Sequence, residues 1–118
     1  MTEVEVHTNS DGDVTVAHPV GDLDAFNASE FRSRMEPIAS SPRLVIDLGG
    51  VSFVDSAGLG ALIGAVRRVQ ELGGEVMLAS ARPALARLLQ HTGVLRIVPC
   101  VATVDEGIEA LSRPAPPS

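Results

Sequence analysis

This sequence predicts an α/β fold: a small mixed, mainly parallel β-sheet packed with about four α-helices. Three features carry the prediction. Near the start, apolar and polar residues alternate on both sides of a turn-forming cluster, the pattern of a β-hairpin. The run Leu44-Val45-Ile46-Asp47-Leu48 is almost wholly apolar, as suits a central parallel strand covered on both faces. Beyond it, segments of helical period alternate with short apolar runs, which implies helices laid against a mainly parallel sheet. The chain has 118 residues, 45% of them hydrophobic and 20% charged. That is one globular domain able to bury a real core. Its expected extent is residues 1–112, followed by a tail at 113–118.

The elements follow in order. Val4 and Val6 alternate with polar residues, Asn9-Ser10-Asp11-Gly12-Asp13 makes the turn, and Val14-Thr15-Val16-Ala17 resumes the alternation. This hairpin belongs at the sheet edge, and His18-Pro19 should end ladder pairing on one side, because proline donates no hydrogen bond. The first helix has Asn27 as its cap, Glu30 at the third position, and Phe26 and Phe31 placed as a hydrophobic staple. Phe31, Met35 and Ile38 form its apolar stripe, and Pro37 should kink or end it. After the central strand, a second helix runs from about Ala57 to Leu72, with Leu59, Leu62, Ile63, Val66 and Val69 facing the core. Gly73-Gly74 stops it. Val76 to Ala79 is a strand. Pro83 opens a third helix with Leu85, Leu88 and Leu89 inward, and Gly93 ends it. Leu95 to Val98 reads as a last short strand. Thr103 and Glu106 form a capping box for a final helix carrying Ile108 and Leu111. The tail, Arg113-Pro114-Ala115-Pro116-Pro117-Ser118, is expected to be disordered.

Charge and composition narrow the function. A net charge of −6 argues against nucleic acid, whose phosphates demand basic patches. All nine cationic residues counted as Lys plus Arg are Arg. The lone Cys100 excludes an intrachain disulfide framework and fits a reducing, cytoplasmic setting. The stretch Met1-Thr2-Glu3-Val4-Glu5 is acidic and has no apolar signal core. No apolar run approaches the ~20 residues needed to span a bilayer, so membrane insertion is not expected. His7, His18 and His91 show no metal-ligand spacing with one another or with Cys100. Neither a metal nor a cofactor is expected.

Chemistry concentrates in one stretch, Val51-Ser52-Phe53-Val54-Asp55-Ser56-Ala57-Gly58-Leu59-Gly60, which follows the central strand and opens the second helix. An exposed Ser beside an Asp at a helix start is a place where a phosphate can be carried, since backbone N–H groups and the helix dipole favour negative charge there. Locally, Ser56 also reads as a simple N-cap, the commonest task of a serine before a helix. A hydrolase elbow would need glycine two residues before Ser56, where Val54 stands. A dinucleotide loop starting at Gly58-Leu59-Gly60 would need a small residue at Ile63. Asp22, Asp24 and Asp55 could be turn and cap carboxylates; two carboxylates together can do acid–base work, but nothing else suggests a substrate pocket. The protein is therefore expected not to be an enzyme.

Gly21-Asp22-Leu23-Asp24, Leu44 to Leu48, Val54-Asp55-Ser56-Ala57-Gly58-Leu59-Gly60, Gly73-Gly74 and Leu88-Leu89-Gln90-His91-Thr92-Gly93-Val94-Leu95 occur in the order found in anti-sigma factor antagonists. From about Val4 to Leu111 the chain resembles that family, the STAS domain. The family motif is typically Asp-Ser-Ser-Gly-Leu-Gly, and the Ser directly after the Asp is phosphorylated by the partner anti-sigma factor. The resemblance places that acceptor at Ser56 and sets Asp24 and Asp55 near it. The second Ser of the motif is Ala57 here, so the neighbouring position offers no alternative hydroxyl.

The resemblance implies a binding protein with a switch. Unphosphorylated, it would bind an anti-sigma factor with serine kinase activity and so free a sigma factor. Phosphorylation of Ser56 would end binding, and a phosphatase would reset the cycle. A lone domain of this type also serves as the STAS subunit of a membrane transporter complex or as a scaffold in a stress-signalling assembly. Partner contact is expected at Asp22, Asp24, Asp55, Ser56 and a strip of small residues on the second helix. That strip is Ala57, Gly60, Ala61 and Gly64, ending at Arg68, spaced by threes and fours on one side. Glycine inside a helix costs roughly 1 kcal/mol relative to alanine. Either the strip packs closely within the domain or a partner lies flat on it.

Overall fold

The structure is a computed structural model and describes residues 4–112. Strands β1 (Glu5–Asp11) and β2 (Val14–Leu23) form the expected antiparallel hairpin. Gly12 takes a φ of 61° at the turn, a left-handed value that a residue without Cβ adopts cheaply. Thr15, Val16 and Ala17 of β2 pair in parallel with β3 (Arg43–Asp47). That ladder stops at Ala17, the one-sided break that His18-Pro19 predicts. Past the proline, β2 takes a second parallel partner, β4 (Val51–Val54), with a bulge between Gly21 and Asp22. Strand β4 was not foreseen, because four residues between a Gly-Gly turn and a helix carry too little alternation to register.

Strand β5 (Glu75–Ala79) pairs in parallel with β3, and β6 (Cys100–Val101) with β5. The strand order is β1-β2-β3-β5-β6, with β4 alongside β2. The sheet is thus mixed and mainly parallel, as predicted. Among the described residues four α-helices cover it: α1 (Ala28–Met35), α2 (Ser56–Glu71), α3 (Pro83–Thr92) and α4 (Val104–Ser112). The two-residue period of the strands distributes the core. Leu44, Ile46, Val76 and Leu78 point into the larger core with α1, α2 and α3. Val14, Val16, Val45 and Ala79 point the other way, where Leu111 and Ile108 of α4 cover them. Each fully buried Leu or Ile contributes about 1.5–3 kcal/mol relative to exposure. No helix among the described residues is long and apolar enough to cross a membrane.

Three local expectations need correction. Asn27 does not cap α1 with its side chain. Instead Asp24 Oδ1 accepts the Asn27 N–H at 2.9 Å, while Asn27 Nδ2 donates to the Asp22 carbonyl at 3.0 Å. Asp24 thus closes an Asx-type turn on the Asn27 N–H, and the Asn27 amide reaches back to β2. Nor does Phe26 staple the helix: Phe31 is fully buried, but Phe26 is 77% exposed. Finally, Leu95 to Val98 is not a strand. The chain makes a 3₁₀ turn over Val94–Arg96, burying Val94 and Val98 and exposing Leu95. Their spacing is helical, and the last strand waits until after Pro99.

Other boundaries fall as read. Helix α1 gives way at Met35 to a 3₁₀ turn, Glu36–Ile38, which contains Pro37. Pro83 opens α3, and Gly93 closes it at a φ of 77°. Thr103 Oγ1 accepts the Glu106 N–H at 3.1 Å, which is one half of the capping box. The Pro-rich tail lies outside the described residues.

Candidate functional site

Helix α2 begins where β2 and β4 end, and three backbone contacts fix it there. Asp55 lies in extended conformation at the N-cap position, and its N–H donates to the Leu23 carbonyl at 3.1 Å. Its carboxylate divides its work. Oδ1 accepts the Gly58 N–H at 2.8 Å, and Oδ2 accepts the Ala25 N–H at 3.1 Å. One side chain therefore caps α2 and ties down the β2–α1 loop. Gly58 makes the close approach possible, since a Cβ there would fall 1.7 Å from the Leu23 carbonyl oxygen.

This geometry corrects the capping reading of Ser56. Asp55 is the cap, and Ser56 is the first residue inside the helix. The serine is exposed, so its hydroxyl is not committed to holding the helix start. The helix dipole at this end favours an anion by about 0.3–1 kcal/mol. Asp24 serves as a turn carboxylate and Asp55 as a cap carboxylate. Asp22 is half-buried and supplies its backbone carbonyl to Asn27. The Ala25–Asp55 bond gathers Asp22, Asp24, Asp55 and Ser56 at one end of the sheet.

The strip on α2 divides. Ala57, Gly60 and Gly64 are exposed, and a Cβ at Gly60 or Gly64 would meet nothing within 4 Å. Close packing inside the domain therefore does not explain either glycine. Ala61, expected on the same surface, is fully buried. Its helical position belongs with Gly58, Leu62, Ala65 and Val69, the inward face that α1 and the sheet cover. The small-residue signal could not separate a buried alanine from an exposed one. At the far end, Arg68 Nη2 lies 3.3 Å from Glu36 Oε1, just beyond α1. Both side chains are largely exposed, so this pair is worth at most about 1 kcal/mol. A shallow groove beside it is lined by Arg32, Met35, Glu36, Gly64, Ala65 and Arg68.

Two residues at this end escaped the sequence reading. The staple pattern misplaces Phe26 and no periodicity flags Phe53, yet both rings are largely exposed. Aromatic scarcity was the available signal: the chain has only three Phe and no Trp or Tyr. Elsewhere, Cys100 is half-buried under the edge of α3, and burial pushes its thiol above the usual range against a smaller opposing effect of a backbone hydrogen bond from Ala81.

Comparison with known proteins agrees with this architecture. The STAS domain family model matches residues 5–107. The anti-sigma-B factor antagonist of Bacillus subtilis is 32% identical over 90 residues, covering 75% of this chain and 83% of the relative. The anti-sigma F factor antagonist of Paenibacillus polymyxa is 28% identical over 103 residues, 85% of this chain and 86% of the relative. A crystal structure of an anti-sigma factor antagonist from Mycobacterium paratuberculosis superposes with a TM-score of 0.83 at 26% identity, covering 93% of this chain and 95% of that one. With the match running from β1 into α4, and with the Asp55-Ser56 pair at the start of α2, this chain belongs to the STAS domain family.

Proposed function

We propose that this protein is an anti-sigma factor antagonist whose binding is switched off by phosphorylation of Ser56. The observation that supports this most directly is the exposed Ser56 hydroxyl on the first turn of α2, released from capping by Asp55. Unphosphorylated, the chain binds an anti-sigma factor with serine kinase activity through the end of the sheet and the open strip Ala57, Gly60 and Gly64. The sigma factor is thereby released. The kinase then moves the γ-phosphoryl group of ATP to Ser56. The Oγ–P bond forms, the γ-phosphoanhydride bond breaks, ADP leaves, and the serine proton passes to a base on the kinase.

The physics of the switch lies at the interface more than in the fold. Phosphate brings about −1.5 to −2 charge beside Asp55. The helix start tolerates it, so the domain stays folded. The kinase, however, must hold its nucleotide against Ser56, and phosphoserine then faces the anionic phosphates of that nucleotide. Bulk and desolvation add to the repulsion. A phosphatase acting on phosphorylated Ser56 restores binding. In this reading the protein is a substrate and a ligand and performs no chemistry of its own.

The test is incubation with purified anti-sigma kinases of the source genome and ATP, read by mass spectrometry. One phosphate on Ser56, absent from Ser56→Ala, is expected. Phosphate on Ser52, Ser80 or Thr92 instead overturns the assignment.

A further inference from the structure

Two of the three phenylalanine rings in this chain stand in water at the Ser56 end of the molecule. Phe31 is fully buried, whereas Phe26 is 77% exposed and Phe53 is 55% exposed. The backbone ties both segments to the strand ends from which α2 starts. Phe26 follows Ala25, whose N–H is bound to Asp55 Oδ2. Phe53 lies on β4, two residues before Asp55 and in register with Asp22. On its outer side Phe53 borders a shallow groove shared with Ala84, Leu85 and Leu88 of α3.

The setting of these rings specifies a partner. Rings this exposed add little to the stability of the isolated chain, but aromatic residues are concentrated at the buried centres of protein interfaces. The border nearest Ser56 is acidic, while Arg82, whose Nε donates to the Gly49 carbonyl at 3.0 Å, stands at the start of α3. Residues 20–27 and 51–57 contain Asp22, Asp24 and Asp55 and not one Arg, Lys or His. An acidic rim around apolar anchors selects a surface of opposite charge.

We propose that Phe26 and Phe53 are the apolar anchors by which the unphosphorylated chain docks on its anti-sigma factor. The complementary surface on that partner is an apolar recess bordered by Arg or Lys. This rests on the proposed function and names the chemistry of the partner at that same site. The rings supply residence time and the aspartates steer encounter. Phosphate on Ser56, at the start of α2 to which Asp55 ties the Phe26 segment, opposes seating of the rings by its charge and bulk.

The experiment uses the full chain and, as probe, the purified kinase that phosphorylates Ser56. Phe26→Ser and Phe53→Ser should each weaken binding by about 10-fold or more, and the double variant further, with unchanged melting temperature. Asp22→Asn should slow association and flatten its salt dependence. Wild-type affinity in the folded double variant overturns the anchor proposal while leaving the phosphorylation reading intact. Should a variant unfold, 4-fluorophenylalanine labelling of the wild-type chain keeps the question open to measurement. The partner should shift the ¹⁹F signals of Phe26 and Phe53 and spare Phe31; two unmoved signals overturn the proposal. Signals that move with concentration in the absence of partner would point to self-association and also overturn it. If no anti-sigma kinase binds or phosphorylates the wild-type chain, both readings fall.

Discussion

Gly58 and Gly64 sit on one helix and are glycine for opposite reasons. At Gly58 a side chain has no room, because the Leu23 carbonyl occupies the place of its Cβ. At Gly64 a side chain has unlimited room, and nothing in the fold objects to it. Gly58 lets α2 settle onto the end of β2 and so aims the Asp55-Ser56 pair. Gly64 leaves a flat patch on the solvent side and weakens the helix that carries it. The contrast teaches that a stripe of small residues in a helix is not one signal. A glycine can be required by the fold on one face while, on another, only a surface outside the fold could require it.

The sharpest break of this comparison is Gly58→Ala. Its Cβ would collide with backbone, not with the flexible end of a side chain, so relief requires moving α2 or β2. A loss of about 3 kcal/mol or more is expected in urea denaturation, at or beyond the usual range for overpacking. A loss below about 1 kcal/mol would show that the two elements are not locked together.

Next in size is a change at the site that the lock positions. Ser56→Glu should weaken binding to the anti-sigma factor by about 1–3 kcal/mol in titration calorimetry while leaving the melting temperature nearly unchanged. Full affinity in a folded variant would place Ser56 outside the interface. Asp55→Ala should cost about 1–2 kcal/mol of stability, because it removes the α2 cap and the tie to Ala25 together. It should also raise hydrogen exchange at the Ala25 and Gly58 amides, and protection retained at both would contradict the shared-carboxylate geometry.

The smallest expected effect has the opposite sign. Gly64→Gln should stabilise the domain by about 0.5 kcal/mol, since glutamine favours helix and the site is open. Binding to the partner should nonetheless fall. A stabilised variant that binds normally would remove the strip from the docking surface and leave the sheet end alone to carry it.

Much of this was legible in the chain because the signals were local. The turn at Gly12, the break at Pro19, the end of α1 before Pro37 and the start and stop of α3 at Pro83 and Gly93 are each decided within a few residues. Ser56 stood out for the same reason. The errors share a cause as well. Asn27 stands at the cap position of α1 without a side-chain cap bond, and Asp55 displaced Ser56 at α2, because the path of each turn decided which side chain reached the open amides. Ala61 and Gly64 looked alike because small residues carry almost no hydrophobic contrast.

By itself, then, the sequence determined the kind of fold, the order of its main elements and the place of the Asp55-Ser56 pair at the start of α2. Periodicity, proline and glycine act through the backbone of their own neighbourhood, so they can be read without knowing what lies across the sheet. Only the tertiary structure decided that β4 pairs with β2, that Gly58 rests on the Leu23 carbonyl, that Asp55 grips Ala25, and that Phe26 and Phe53 remain in water. Each of these is set by contact or lack of contact between segments some thirty residues apart, such as Ala25 with Asp55. Such contacts depend on how the sheet brings segments together, which no local pattern encodes.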